Sequence, residues 1–67
     1  MNELEKAQEA LRLTQEAFDA VKSLGNQVRK LTHEKQMRGH FVKALDQLEI
    51  ELVIARSYLS RVEILSK

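Results

Sequence analysis

Thr32-His33-Glu34-Lys35-Gln36-Met37-Arg38-Gly39-His40 is the stretch on which the fold of this chain depends. Its only large apolar side chain is Met37, whereas the segments on either side carry apolar residues at helical spacing. A chain that is helical on both sides of such a gap either bends there into a hairpin or continues as one long helix. A coiled coil keeps its seam unbroken, and here the seam stops at Leu31 and resumes at Phe41 in a changed register, which favours the hairpin. Gly39 can take the left-handed conformation that ends a helix, and Lys35 and Arg38 before it would face the negative end of the first helix. The expected turn is therefore residues 37–41, with a first helix over 2–37 and a second over 41–66. A competing placement turns at Thr32, used as an N-cap, and leaves Gly39 inside the second helix at a cost of about 1 kcal/mol relative to Ala.

Upstream of the gap, Leu4, Ala7, Leu11, Thr14, Phe18, Val21, Val28 and Leu31 follow one another in steps of three and four, interrupted at Gly25. The face drifts slowly toward Leu24, Val28 and Leu31, and a left-handed supercoil would straighten it into a seam. Asn2 is placed to cap this helix, with Glu3 and Glu5 against its positive end. Downstream, Phe41, Leu45, Leu48, Leu52, Ala55, Leu59 and Val62 form a stricter stripe, expected to pack on the first helix. Ile50, Val53, Ile54, Tyr58 and Leu65 lie off that stripe and leave the middle of the second helix apolar nearly all round. A helix of that kind is buried on more than one side, and a two-helix chain has nothing to cover the second side. The expected fold is thus an all-α antiparallel two-helix hairpin, coiled-coil-like, completed by dimerisation or by a helical protein partner docked on those five residues.

With 67 residues the chain is at most one domain, and a chain of this size buries only about 60% of the surface that its unfolded form exposes. The absence of cysteine closes the disulfide route to extra stability and excludes thiolate metal sites, which leaves association. Zero proline and two glycines give high helical propensity nearly throughout. No stretch approaches the ~20 apolar residues of a membrane span, and Glu3, Glu5 and Glu9 stand where a signal peptide would carry basic charge. The expectation is a soluble, unprocessed, cytoplasmic protein. Eleven basic and ten acidic side chains nearly cancel, so no overall field draws the chain to nucleic acid or to an acidic membrane.

The local balance differs at the gap, where Arg29, Lys30, Lys35, Arg38 and Lys43 outnumber the single acid Glu34 and could contact an anion. Without a stacking platform or a recognition helix, nucleic acid is not the expected partner, and a solvated cap on the helix dipole accounts for the cluster. His33 and His40, two helical turns apart, are too far from each other on one helix to share a metal ion; across a turn they could approach, with Glu34 as a third ligand. Two exposed histidines in a polar turn explain them more simply. No nucleophile, base and acid converge, no paired carboxylates have a cause for a raised pKa, and no glycine-rich phosphate loop occurs. The chain is read as a non-enzymatic interaction module with no cofactor and no small-molecule substrate.

In length and layout, with Leu4-Glu5 near the start, Met37-Arg38-Gly39 at the turn and an aliphatic final helix, the chain resembles the small helical-hairpin co-chaperones of needle subunits in bacterial type III secretion. The resemblance implies docking on a helical-repeat chaperone through Ile50, Val53, Ile54 and Tyr58, and a role in keeping the needle subunit from polymerising. The segment from Lys22 to Glu34, followed by Val42-Lys43 and Asp46-Gln47-Leu48, is similar to the small hairpin adaptors that direct phycobilisome degradation, which act as dimers. The longer first helix and the extra residues at the turn depart from that second pattern. Both families are helical hairpins that act through protein surfaces.

Overall fold

The computed structural model of the chain describes residues 2–67. Two helices, α1 over Glu3–Arg29 and α2 over Lys35–Leu65, pack side by side, and no strand occurs among the described residues. At about 1.5 Å rise per residue α2 alone is roughly 46 Å long. The described chain is 49 Å in its longest dimension and 14 by 13 Å across, so the helices lie antiparallel along nearly their whole length. Asn2 caps α1, its side-chain oxygen accepting from the Glu5 backbone N–H at 2.8 Å, and Glu3 and Glu5 sit in the first turn.

The bend lies at residues 30–34 and not at 37–41, which corrects the placement at Gly39. α1 tightens at its end, with the Lys30 N–H on the Gln27 carbonyl at 3.2 Å and the Leu31 N–H on the Val28 carbonyl at 3.0 Å. Glu34 then takes the left-handed conformation, φ 53 and ψ 54, and its carbonyl accepts the first α2 bond from the Arg38 N–H at 2.8 Å. The physical reason is propensity. Thr32 and His33 are poor helix residues, whereas Lys35-Gln36-Met37-Arg38 are good ones, and a single glycine costs a helix about 1 kcal/mol, less than the turns behind it contribute. Gly39 accordingly sits inside α2, exposed, with no atom within 4 Å of where its Cβ would be and no positive φ. Thr32, which the competing placement used as an N-cap, precedes the actual N-cap Glu34.

The buried and half-buried positions of α1 are Leu4, Ala7, Leu11, Thr14, Phe18, Val21, Gly25 and Val28, with Ala10 beside them. That is an unbroken heptad seam of eight positions in which Gly25 is a member, not an interruption. Thr14 satisfies its hydroxyl within the helix, donating to the Ala10 carbonyl at 2.7 Å. On α2 the buried and half-buried positions are Arg38, Val42, Leu45, Glu49, Leu52, Ala55, Leu59, Ser60, Val62 and Glu63, followed by Ser66 at the C-cap. The facing register follows from Gly25 against Leu45, the Arg56 to Gln15 hydrogen bond at 3.3 Å and the Arg29 to Asp46 ion pair at 2.9 Å. It sets Phe18 level with Leu52, Leu11 with Leu59 and Val28 with Val42.

Phe41 and Leu48, expected in this seam, stand 47% and 41% exposed, and Val42 and Glu49 take their places. The α2 stripe is wider than the single seam of α1, so α1 covers only its Leu45, Leu52 and Leu59 centre. The contact is rotated toward the side where Asp46 and Arg56 find polar partners on α1. The stripe from Phe41 to Val62 is thus divided: its middle is core, and its outer shoulder faces outward.

Candidate interaction surfaces

Among the described residues only Ala7, Val28 and Leu45 are buried apolar side chains, while twelve large apolar side chains are exposed. The heptad geometry sorts the exposed ones onto two sides of the hairpin. In an antiparallel pair the positions just before the first seam residue of each heptad share one flank, and those just after the second seam residue share the other.

The first side carries a groove of about 420 Å³ lined by Phe18, Asp46, Glu49, Ile50, Val53 and Ile54. Phe18 reaches it from the α1 seam, and the Lys22 ammonium lies 5.5 Å from the Phe18 ring centroid. Asp46 and Glu49 border it, Asp46 already paired with Arg29. Ile50 is 54% and Ile54 63% exposed. On this side α1 presents Gln8, Arg12, Gln15, Asp19 and Arg29, so α2 supplies most of the apolar surface.

The other flank is apolar on both helices. Leu24 of α1 falls beside Leu48 of α2 by helical position, and Val28, Leu31 of the bend, Met37 and Phe41 together line a depression of about 300 Å³. Tyr58 falls, by helical position, toward this flank and not beside Ile50 and Val53, whereas Leu65 lines with Ser57, Ser60 and Ile64 a separate depression toward the end of α2. The five residues expected to form one docking face are therefore not brought together: Ile50, Val53 and Ile54 line the groove, and Tyr58 and Leu65 each stand apart from it. An α2 stripe taken as wholly intramolecular conceals the contribution of Phe41 and Leu48, and the outward positions of Leu13, Leu24 and Leu31 are the signal that a second face exists.

The basic cluster at the bend is partly committed to the fold. Arg29 is held by Asp46, and the Arg38 guanidinium donates to the Leu31 carbonyl, closing the end of α1. Lys30, Lys35 and Lys43 are exposed. Among the described residues no group of three His, Cys, Asp or Glu side chains could hold a metal ion, His33, Glu34 and His40 included. Farther along α1, the Arg12 guanidinium bonds Glu9 and Glu16; its hydrogen bond holds the Glu9 carboxyl below the ordinary carboxylate pKa, and Glu9 in turn raises that of Arg12. No helix among the described residues is long and apolar enough to cross a membrane. Comparison with known protein families, with curated proteins and with solved structures finds no match to this chain.

Proposed function

We propose that the chain is a non-enzymatic protein-interaction module, an adaptor or co-chaperone, that takes apolar side chains of a helical partner into the groove lined by Phe18, Ile50, Val53 and Ile54. The observation that carries this reading is the exposure of Ile50 and Ile54 beside a groove of about 420 Å³. Burying a side chain of this kind contributes roughly 1.5–3 kcal/mol, so leaving both in water serves no folding purpose. The helix-in-groove mode fits the shape, because a partner helix presenting apolar residues three and four apart matches the spacing of Ile50, Val53 and Ile54. Asp46 and Glu49 on the border favour a partner that carries basic residues beside its apolar stripe. A role in type III secretion, in the cytoplasm, is the specific form that the resemblance to needle-subunit co-chaperones would give this proposal.

The test is capture of partners by wild-type protein and by Ile54→Asp and Ile50→Asp variants, with helicity followed by circular dichroism. Binding lost in the variants at unchanged helicity supports the groove; a partner set unaffected by either change removes it. Anion binding through Lys30, Lys35 and Lys43 is a separate matter, decided by titration with random duplex at low salt.

A further inference from the structure

We infer that the flank opposite the groove is a self-association face, on which a second copy of this chain packs antiparallel, α1 on α1 and α2 on α2, about a two-fold axis beside Ala17. The first support is surface area. The chain exposes 5252 Å², whereas a compact monomer of 7.8 kDa exposes about 4,400 Å². A side 49 Å long and 14 Å wide corresponds to roughly 700 Å² per protomer and about 1,400 Å² for a pair, within the ~1,200–2,000 Å² of stable protein interfaces.

The second support is that the flank is self-complementary. Along it, from the bend to the open end, the paired positions are Leu31 with Phe41, Leu24 with Leu48, Ala17 with Ala55, and Ala10 with Val62. Bulk is concentrated near the bend and small side chains lie beyond it. Stacking two copies in parallel sets Leu24 on Leu48 and Ala17 on Ala55, which leaves the bend overfilled and a gap in the middle. Turning one copy end for end sets Leu24 against the partner's Ala10 and Leu48 against the partner's smaller Val62, with Ala17 and Ala55 each meeting its own counterpart where the helices come closest. Large against small is how two helical layers reach interior packing density. Of the charged members of the flank, Lys6 and Glu51 stand on its outer edges and Glu3 at its open end, as rim residues of an isologous interface do. The product is a four-helix bundle that leaves both Ile50–Ile54 grooves open on its outer sides, so this inference is independent of the partner groove.

The chain has no cysteine, which allows a clean test. Wild-type protein is sedimented from low to high micromolar concentration, and Ala17→Cys and Ile50→Cys variants are equilibrated in a glutathione redox buffer. The expected results are a mass of twice 7.8 kDa, a disulfide-linked dimer through Cys at 17 but not through Cys at 50, and return to the monomer mass in Leu48→Asp. Should Leu48→Asp lose its helicity, the cross-linking result decides alone. A monomer at the highest concentration, or a dimer that fails to cross-link at 17, overturns the inference. So does a dimer that survives Leu48→Asp with intact helices and dissociates on Ile50→Asp.

Discussion

Gly25 of α1 faces Leu45 of α2 so closely that a Cβ added to the glycine would lie 3.9 Å from Leu45 Cδ1 and 3.2 Å from Arg29 Nη1. The first distance is ordinary contact, and the second involves the far end of a flexible side chain that can move by a few tenths of an ångström. Gly25→Ala therefore removes the entropic cost of glycine in a helix, about 0.5–1 kcal/mol, with little steric penalty. The expected outcome is a rise of a few degrees in the midpoint of thermal unfolding at fixed protein concentration. Part of the gain is lost if Arg29, in moving, releases Asp46, a surface pair worth at most about 1 kcal/mol. Gly25→Leu meets Leu45 head-on and is expected to destabilise by about 1–3 kcal/mol.

Gly39 gives the opposite test of the same residue type. It lies within α2 with open space around it and no left-handed backbone. Gly39→Ala should stabilise by about 1 kcal/mol. A turn at this position would reverse the sign, since alanine in a left-handed conformation costs about 1 kcal/mol or more. Chemical denaturation of the two proteins at equal concentration separates the outcomes.

The left-handed residue is instead Glu34, φ 53, whose side chain makes no capping bond to α2. Glu34→Gly removes the steric strain of a Cβ in that region, and Glu34→Asn supplies a residue that tolerates it. Each should stabilise by about 0.5–1 kcal/mol, measured by the denaturation midpoint. Equal or lower stability in both variants would mean that the bend is made elsewhere.

The fold class was legible because two helical periodicities and one polar gap leave few arrangements. What the residues could not reveal was the competition inside the gap. Gly39 is the stronger punctuation by residue type, but Lys35-Gln36-Met37-Arg38 together outweigh it as helix formers, and Thr32-His33 yield first. Nor could periodicity decide how α2 is rotated, because Phe41, Val42, Leu45, Leu48 and Leu52 form a stripe wider than one neighbour covers. Which edge faces α1 is set by cross-helix partners distant in sequence, Asp46 with Arg29 and Arg56 with Gln15. Those pairs become visible only once the helices are in register.

Acid should act on α1 through Glu9. Its carboxyl is held below the ordinary pKa by the hydrogen bond from Arg12, so its contribution to stability is fully present above the unfolded-state value and is lost as pH falls through the lowered folded-state value. Thermal unfolding followed from neutral to strongly acid pH should show a decline in that window which Glu9→Gln reduces. Since Glu9 and Arg12 are open to solvent, added salt should reduce it as well. A decline identical in Glu9→Gln would assign acid sensitivity to other carboxylates.

Leu45 and Leu48, one turn apart on α2, should respond differently to truncation. Leu45 is buried against α1, and Leu45→Ala leaves a cavity in the hairpin, costing about 2–5 kcal/mol. That cost belongs to the single chain, so the unfolding midpoint should drop at every protein concentration. Leu48 is 41% exposed in the single chain, and its truncation removes little from the hairpin itself. If the flank joins two copies, Leu48→Ala instead weakens association, and mass action then ties its effect to protein concentration. In dilute protein, where neither wild type nor variant is associated, the two midpoints should nearly coincide. As the protein is concentrated the wild type gains dimer stability first, so the gap opens and levels off once both are associated. Unfolding curves of both variants over a range of concentrations make the distinction: a loss present at every concentration for Leu45→Ala, and one that grows from near zero for Leu48→Ala.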